Sequence, residues 1–357
     1  MFNFGAGPAV LPESVLAKIQ EDLMTLPGVG MSILEVSHRS TVFEEVLGRA
    51  EANIRELAQI PTNYHVLFLQ GGASQQFSMV PMNLLGETET ADYCLTGAWA
   101  KKAAIEAEKF GNVNIAATTE HENFSRLPSV SEFTLTKDAA YVHLTSNNTI
   151  VGTQWRDIPE FGERPLVVDA SSDIFSRPID ISRCGLVYAG AQKNLGPAVV
   201  TVVIVRDDLV RPLTRSLPTL MCYETFVRSR SLYNTPPVFS IYVTALVTDW
   251  IREAGGLLEM EHRNERKARA LYDAVDRTSF YQGTAKVGSR SRMNVTFRLP
   301  NSDMDSLFAK EALSAGLSGL KGHRSVGGLR ASTYNAFPET GVEALIEFMG
   351  EFERTHG

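Results

Sequence analysis

Lys193 lies in a stretch of the chain where a lysine needs an explanation. The segment YAGAQKNLGPAVVTVVIVR, residues 188–206, places it between two apolar runs and close to Gly190 and Gly196. Lysines are mostly exposed, so a surface loop is the commonest interpretation of any single one. A lysine that is removed from water has a lowered pKa, however, and its neutral amine attacks carbonyl carbons. The segment therefore makes Lys193 a candidate nucleophile.

Four further features follow predicted strands, and each has an ordinary interpretation when taken alone. Gly72-Ala73-Ser74 opens a predicted helix, where free N–H groups can bind phosphate, although such a turn is more often a plain connection with Ser74 as N-cap. Asp169 ends the apolar run PLVV, so it either meets a buried partner or caps the next turn. Trp99 opens another predicted helix, where an aromatic residue is more often core. Thr149 follows Ser-Asn-Asn, which is also typical of a turn.

Together these residues are the parts of a site for pyridoxal phosphate. Such a site needs a lysine for a Schiff base, an acid for the pyridinium nitrogen, an aromatic ring to stack on and helix-start amides for the phosphate. Ligands of open α/β sheets bind outside the carboxyl ends of the strands, which is where all these residues are predicted. The sequence therefore predicts a cofactor site around Lys193 and Asp169.

Two basic segments predict an anionic substrate. SHRS at 37–40 contains His38 and Arg39, and GHRSVGGLRAS at 322–332 contains His323, Arg324 and Arg330. Guanidinium groups match the oxygens of carboxylates and phosphates. Arg330 falls inside a predicted strand, whereas each of the other four can also be explained as a surface loop residue. Several cations for one small ligand indicate a substrate with two anionic ends.

The elements that position these residues follow from the alternation of apolar runs with amphipathic stretches. Strands are predicted at 65–70, 92–97, 113–118, 140–149, 165–173, 185–190 and 198–206, with helices between several of them, which favours an α/β fold with a largely parallel sheet. The last third predicts an α+β unit, with helices at 240–254, 257–278, 303–315 and 339–354 and strands at 292–299 and 327–333. Gly255-Gly256 is the predicted hinge between the two parts.

Composition excludes several classes of protein. The chain has 357 residues, of which 44% are hydrophobic, and a formal net charge of −7 without a long basic run, so nucleic-acid binding is not expected. No apolar stretch approaches the ~20 residues that span a bilayer, and the N-terminus does not resemble a signal peptide. Three cysteines without a CxxC pair predict neither a disulfide framework nor a metal site. A cytoplasmic location is expected.

Several stretches are specific enough to identify a family. They are NFGAGPAVLP, SHRSTVF, LFLQGGASQQFSMVPMNLL, TGAWAKKAAIEA, VVDASSDIFSRPIDISRCGLVYAGAQKNLGPAVVTVVIVR, NTPPVFSIY and GHRSVGGLRASTYNAF. The chain resembles the phosphoserine aminotransferase family, in the class V group of fold-type I pyridoxal-phosphate enzymes. The resemblance implies a mainly parallel seven-stranded sheet flanked by helices in a large domain (14–256) and a small α+β domain (1–13 and 257–357). It also implies a ping-pong transfer of the amino group from L-glutamate to 3-phosphohydroxypyruvate, which gives 2-oxoglutarate and O-phospho-L-serine in serine biosynthesis.

The resemblance also implies a role for each candidate residue. Lys193 would bind the cofactor covalently and move protons, Asp169 would pair with the pyridine nitrogen, and Trp99 would stack on the ring. The polar edge and the phosphate of the cofactor would be held by Thr149, Ala73, Ser74 and Gln192, and from the second subunit of a homodimer by Asn234 and Thr235. Arg330 would bind the substrate α-carboxylate. The distal anion would be bound by His38, Arg39, His323 and Arg324.

Some alternatives stay open at this stage. An alanine– or serine–glyoxylate aminotransferase of class V is the nearest one, although glyoxylate has no distal anion for the two HRS segments. A cysteine desulfurase and a non-catalytic binding protein agree less well with the residues. Some relatives have an arginine where this chain has Ser74, so activity on the four-carbon phosphorylated keto acid of vitamin B6 synthesis also stays open.

Overall fold

The computed structural model describes residues 1–210 and 215–357. The strands in chain order are β1 (Phe2–Asn3), β2 (Tyr64–Leu69), β3 (Thr90–Leu95), β4 (Asn112–Thr118), β5 (Val142–Thr145), β6 (Asn147–Asn148), β7 (Thr153–Gln154), β8 (Leu166–Asp169), β9 (Leu186–Gly190), β10 (Thr201–Arg206), β11 (Gln282–Gly283), β12 (Asn294–Arg298), β13 (Leu317–Ser318) and β14 (Leu329–Ser332). The α-helices are α1 (Glu13–Met24), α2 (Thr41–Leu57), α3 (Gly72–Leu84), α4 (Ala98–Ala107), α5 (Tyr223–Arg228), α6 (Val238–Glu253), α7 (Gly256–Asp276), α8 (Ser302–Ser314) and α9 (Glu339–His356).

A seven-stranded sheet forms the centre of the molecule, in the order β2-β10-β9-β8-β5-β3-β4. The pairs within β9-β8-β5-β3-β4 are all parallel, and β10 runs antiparallel to both β9 and β2. The predicted α/β class and mainly parallel sheet are thus confirmed. The carboxyl ends of the parallel strands meet at one edge, which is where candidate residues of several strands come together.

Both faces of the central strands of this sheet are buried, as the apolar runs predict. Successive side chains of a strand point to opposite faces. In β10, Val202 and Ile204 join a core that contains residues of α2 and α6, while Val203 and Val205 join a second core with residues of α3 and α4. The strand side chains therefore anchor helices on both sides of the sheet.

Two predicted strands end earlier than expected, because polar side chains take over the hydrogen bonding. The run 140–149 leaves the sheet after Thr145, and β6 instead pairs antiparallel with β7. The run 165–173 ends at Asp169, whose Oδ1 accepts the backbone N–H of Ser171 at 3.0 Å. These endings place buried polar residues at the sheet edge instead of continuing the ladder.

The last third forms an α+β unit, as predicted, and the N-terminal residues join it. A three-stranded sheet has the order β11-β12-β14, and β1 pairs in parallel with β13. Phe4 belongs to the same hydrophobic cluster as Leu271 of α7 and Leu345 of α9. The N-terminus is therefore held against elements that lie more than 250 residues away in the chain, within a sequence of 357 residues.

The cysteines form no disulfide among themselves, and the helices are not of the membrane-spanning type within the described residues. Cys94, Cys184 and Cys222 are all free thiols, and burial raises the pKa of Cys184 to about 12. In the described part of the chain, no helix is both long and apolar enough to cross a membrane.

Candidate active site

A cavity of about 250 Å³ lies at the carboxyl ends of the parallel strands. Its lining includes most of the residues that the sequence predicts for the cofactor, namely Ala73, Ser74, Trp99, Thr149, Asp169, Gln192 and Lys193. Other polar residues of the same wall are Asn147, Ser171 and Ser172. One cavity thus brings together side chains from turns that follow β2, β3, β8 and β9 and from the β6–β7 connection.

Lys193 is presented by the turn between β9 and β10. This turn is closed by the N–H of Ala191, which donates to Val200 O at 3.0 Å. The half-buried Lys193 side chain donates from Nζ to Thr149 Oγ1 at 2.8 Å. Desolvation lowers the pKa of Lys193 to about 8, with Arg330 acting in the same direction and Asp169 opposing it. The pKa of the lysine therefore lies near physiological pH, so a fraction of the side chain is the neutral amine that acts as a nucleophile.

Asp169 combines the two roles that the sequence leaves open. It is 4% exposed at the end of β8, and its Oδ1 caps the following turn through the Ser171 N–H. The same residue lines the cavity beside Lys193. Burial raises the pKa of Asp169, while hydrogen bonding to Ser171 and the charge of Lys193 act to lower it. A buried carboxylate held in this way can accept a hydrogen bond from a protonated ring nitrogen.

The start of α3 forms one end of the cavity, and its geometry is suited to an anion. Gly71 is the N-cap and has φ of +85°, and a Cβ there would lie 1.7 Å from Gln75 Oε1. The interpretation of Ser74 as N-cap is therefore wrong, because the left-handed Gly71 already turns the chain and Ser74 falls in the first helical turn. The first N–H groups of an α-helix have no partner within the helix and attract anions.

Trp99 forms another wall from the first turn of α4. The turn before it is tight, since a Cβ on Gly97 would lie 2.7 Å from Asn148 Oδ1. Asn148 in turn donates to Thr96 Oγ1 at 3.1 Å, which ties the start of α4 to β6. Lys102, one turn further along, has its Nζ 4.5 Å from the centre of the Trp99 ring. The tight turn thus sets the position of Trp99 at the cavity, and Lys102 lies over its ring.

Arg330 reaches the same region from β14. Its Nη1 donates to the carbonyl oxygen of Thr149 at 3.1 Å, so Thr149 is contacted by both Lys193 and Arg330. The Nε of Arg330 is buried and has no hydrogen-bond partner. Desolvation is the main cause of a lowered pKa at Arg330. A guanidinium with an unused buried N–H is suited to a carboxylate ligand.

His323 and Arg324 lie in the turn before β14. His323 Nδ1 is 2.7 Å from Ser325 Oγ, and the backbone N–H of Gly327 donates to His323 O at 2.9 Å. Burial lowers the pKa of His323, and the positive charges of Arg330, Arg324 and Lys102 lower it further. This turn therefore adds positive charge next to Arg330, as the sequence predicts, although neither residue lines the cavity itself.

Four further predicted residues also lie outside the lining of this cavity within the single chain. His38 and Arg39 lie in the turn that precedes α2. Asn234 lines a separate cavity of about 160 Å³, and the carbonyl oxygen of Thr235 accepts a hydrogen bond from Gln70 at 3.1 Å. Their action across a subunit interface stays a prediction.

The sequence did not predict the buried polar side chains that hydrogen-bond to one another beside the cavity. Asp173 is buried and accepts hydrogen bonds from Ser146 Oγ and, at 3.0 Å, from Gln154 Nε2. Asn147 Nδ2 donates to Ser172 Oγ at 2.8 Å. The polar runs TSNN and DASSD directly after apolar runs were the available signal, because buried polar groups need partners.

The donor set fits pyridoxal phosphate. A desolvated lysine, a buried acid, an indole ring and a helix N-terminus occur around one cavity, and these match the aldehyde, ring nitrogen, ring face and phosphate of that cofactor. Among the described residues, no group of three or more His, Cys, Asp or Glu side chains is arranged to hold a metal ion.

Comparisons with known proteins agree with this chemistry. Residues 1–345 match the aminotransferase class-V family. A phosphoserine aminotransferase of Herpetosiphon aurantiacus is 53% identical over 358 aligned residues, which cover 100% of this chain and 99% of the relative. The structure of phosphoserine aminotransferase from Bacillus circulans subsp. alkalophilus is 52% identical, with a TM-score of 0.98 and 99% of each chain covered. The phosphoserine aminotransferase of Trichomonas vaginalis, solved with pyridoxal phosphate bound, is 39% identical with a TM-score of 0.94 and covers 98% of this chain and 99% of its own. The chain therefore belongs to the class V aminotransferase family and, within it, to the phosphoserine aminotransferases, which are pyridoxal-phosphate enzymes.

Proposed function

We propose that the protein transfers the amino group of L-glutamate to 3-phosphohydroxypyruvate by a ping-pong mechanism, giving 2-oxoglutarate and O-phospho-L-serine for serine biosynthesis. The observation that carries this proposal is the convergence of two cations on Thr149. The Lys193 amine contacts its hydroxyl at 2.8 Å, and the Arg330 guanidinium contacts its carbonyl at 3.1 Å. An amino acid whose carboxylate binds Arg330 would therefore have its Cα close to the lysine.

The cofactor would be held by residues of the cavity. When bound, pyridoxal phosphate supplies the electron sink that makes the Cα proton of an amino acid removable, and it carries the amino group between the two substrates. Asp169 would keep the ring nitrogen protonated, and Trp99 would cover one face of the ring. The N–H groups of Ala73 and Ser74 and the side chain of Gln192 would bind the phosphate.

Lys193 is proposed as the general acid and base. Its pKa of about 8 lies near the working pH of a cytoplasmic enzyme, which is the condition for efficient proton transfer in both directions. The amine would remove the proton from Cα of glutamate in the first half-reaction. It would deliver a proton to Cα of the new amino acid in the second half-reaction, so the same group serves both substrates.

The two substrates would share one set of anion contacts. Both have an α-carboxylate, for which the buried and unpartnered Nε of Arg330 is available. The γ-carboxylate of glutamate and the phosphate of the keto acid would bind to the same distal residues, namely His323, Arg324, His38 and Arg39. Because ping-pong exchange uses one site twice, a single distal subsite suffices for both.

A homodimer is proposed to complete the site. Asn234 and Thr235 lie away from the cavity of their own chain, on the surface near Gln70 and Met221. In a dimer they would reach the cofactor phosphate of the second subunit, and His38 and Arg39 would reach its distal anion. Mixing Lys193→Ala subunits with Asn234→Ala subunits tests this arrangement, because a shared-site hybrid regains one intact site and recovers part of the activity lost in each variant alone. Hybrids as inactive as the parents would refute the shared site.

The small domain is proposed to consist of residues 1–13 and 257–357. Phe4 shares a hydrophobic cluster with α7 and α9, and Tyr334 Oη donates to Ala6 O at 2.9 Å. This segment also contacts the lysine turn, since the Ala9 N–H donates to Gln192 O at 2.9 Å. Movement of the small domain would therefore bring Arg330 and the 322–328 turn toward the cavity as one unit.

Steady-state assays of the holoenzyme test the proposed reaction. Glutamate-dependent conversion of 3-phosphohydroxypyruvate to O-phosphoserine is expected, with parallel-line kinetics. Glyoxylate and pyruvate serve as competing acceptors, and both are expected to react poorly because they have no distal anion. Preferred amination of glyoxylate would replace the proposal by a glyoxylate aminotransferase.

A further inference from the structure

Two adjacent lysines of α4 have different surroundings. Lys101 and Lys102 are both exposed. Lys101 Nζ forms an ion pair with Glu120 Oε1 at 2.7 Å. Lys102 has no carboxylate partner within the described part of the chain, and its Nζ lies over the ring of Trp99, 4.5 Å from the ring centre. The two residues therefore allow a comparison between a lysine whose charge is paired with a carboxylate and one whose charge can interact with a ligand.

Lys102 lies within electrostatic range of His323, as do two arginines. The pKa of His323 is lowered by burial and then by the charges of Arg330, Arg324 and Lys102. These groups come from α4 and from the 322–330 segment, which are distant in sequence but adjacent in space. Among the described residues, no acidic group is one of the charges that shift the pKa of His323, although the chain has a net charge of −7. Positive charge collected without a counter-charge favours an anionic ligand.

The cluster also has an unsatisfied polar group at its buried end. The Nε of Arg330 is buried without a hydrogen-bond partner. Its Nη1 is already used by Thr149, which fixes the guanidinium next to the cavity. A ligand with one anionic group at Arg330 and a second anionic group further out would place the second group near these outer charges, of which Lys102 is one.

We propose that Lys102 is a substrate-binding residue that contacts the distal phosphate of the keto acid and favours it over the carboxylate of glutamate. This inference rests on the proposed function. A phosphate monoester carries about −1.5 to −2 charges and three acceptor oxygens, whereas a carboxylate carries one charge and two oxygens. A lysine ammonium on a flexible stem acts as a point charge for such a group. Its contact with Trp99 at an exposed position is worth only about 0.5–1 kcal/mol, so the ammonium is free to move to a phosphate.

The kinetic test compares Lys102→Gln with Lys102→Arg and Lys101→Gln in the holoenzyme. For Lys102→Gln, KM for 3-phosphohydroxypyruvate is expected to rise about fivefold, which is the upper range for one exposed ion pair, and KM for glutamate less than about twofold. The Arg variant is expected to retain a KM near that of the native enzyme, and so is Lys101→Gln. The fivefold difference is expected to shrink as salt is added, because the contact is exposed. Equal changes in both KM values, or equal effects of the two Gln variants, would overturn the proposal.

A binding measurement separates this proposal from the reaction itself. Inorganic phosphate is titrated into each holoenzyme by calorimetry, and the Lys102→Gln protein is expected to bind it about fivefold more weakly than the native and Lys101→Gln proteins. Unchanged phosphate affinity in Lys102→Gln would overturn the role of Lys102. If the native enzyme fails to aminate 3-phosphohydroxypyruvate, the proposed function falls, and the calorimetric comparison alone then decides whether Lys102 belongs to an anion site.

Discussion

Replacing Lys193 by methionine is predicted to stabilise the cofactor-free protein. Desolvation lowers the pKa of this lysine from its ordinary 10.5 to about 8. Each pKa unit corresponds to about 1.36 kcal/mol, so at pH 7 the protonated lysine destabilises the folded state by about 3 kcal/mol. Methionine removes that cost but loses the hydrogen bond to Thr149, worth about 1 kcal/mol. The net gain in the free energy of unfolding is therefore about 2 kcal/mol at pH 7.

The pH dependence of this gain has a definite sign. Below about pH 8 the lysine is protonated in both the folded and the unfolded chain, so the full cost is present. Between about pH 8 and 10.5 the folded lysine is neutral while the unfolded one still binds a proton, so the native protein recovers stability as pH rises. The advantage of Lys193→Met is therefore expected to vanish by about pH 10.

Lys267 provides the matched control, because burial lowers its pKa as well. It is 2% exposed on α7, and its Nζ donates to the carbonyl oxygens of Thr333, Tyr334 and Phe337 at 3.0, 2.7 and 3.1 Å. Burial lowers the pKa of Lys267 to about 7, so removing its charge is a gain of about 4 kcal/mol at pH 7 by the same reasoning. Lys267→Met also loses three hydrogen bonds from a charged donor, worth about 1.5–3 kcal/mol each, and leaves three buried carbonyl oxygens without this partner. The same substitution is therefore expected to destabilise the protein at this position.

Urea unfolding of the cofactor-free proteins measures both effects. The midpoint of Lys193→Met is expected above that of the native protein at pH 7 and equal to it near pH 10, and the midpoint of Lys267→Met below it. Protein concentration is held constant because subunit association contributes to apparent stability. A lower midpoint for Lys193→Met at pH 7, or a gain that does not change with pH, would refute the assignment of Lys193 as a desolvated amine.

Three further predictions concern the cavity and the neighbouring Arg330. Arg330→Lys is expected to raise KM for glutamate and for 3-phosphohydroxypyruvate alike, by about tenfold, because the planar guanidinium serves the α-carboxylate that both substrates share; an effect on only one substrate would contradict this role. Gly71→Ala is expected to destabilise the protein by about 1 kcal/mol or more and to weaken cofactor binding, since φ is +85° and the added Cβ would lie 1.7 Å from Gln75 Oε1. Spectral titration with the cofactor measures the affinity. An affinity equal to that of the native protein would argue against this helix start as the phosphate site. Asp169→Asn removes a charge that raises the pKa of Lys193, so the pH profile for acylation of Lys193 in the cofactor-free protein is expected to move to lower pH. Mass spectrometry of the labelled peptide measures this profile. A profile that moves to higher pH would contradict the proximity of Asp169 to Lys193.

The sheet and the cavity residues could be predicted from sequence because they depend on local signals. Apolar runs that end in Asp169 or in Gly71-Gly72 mark the carboxyl ends of strands, and parallel strands bring these ends to one edge. The structure confirms this arrangement for the residues that line the cavity with Lys193.

Other parts of the site depend on tertiary contacts that no local pattern encodes. Arg330 meets Thr149 across a separation of 181 residues, so their contact follows only from the packing of β14 against the β6–β7 connection. The early end of β5 likewise depends on partners elsewhere, such as Asp173 for Ser146. Glu120 forms an ion pair with Lys101 and not with Lys102, and its position next to Lys101 cannot be predicted from sequence alone.

Borohydride reduction of the holoenzyme, followed by peptide mass spectrometry, tests the central assignment most directly. Reduction makes the reversible carbon–nitrogen bond between cofactor and lysine permanent. Lys193 and Lys267 both have lowered pKa values, but only Lys193 lines the cavity with Asp169 and Trp99. The cofactor mass is therefore expected on the peptide that contains Lys193. Its recovery on the Lys267 peptide, or on no lysine at all, would contradict the account.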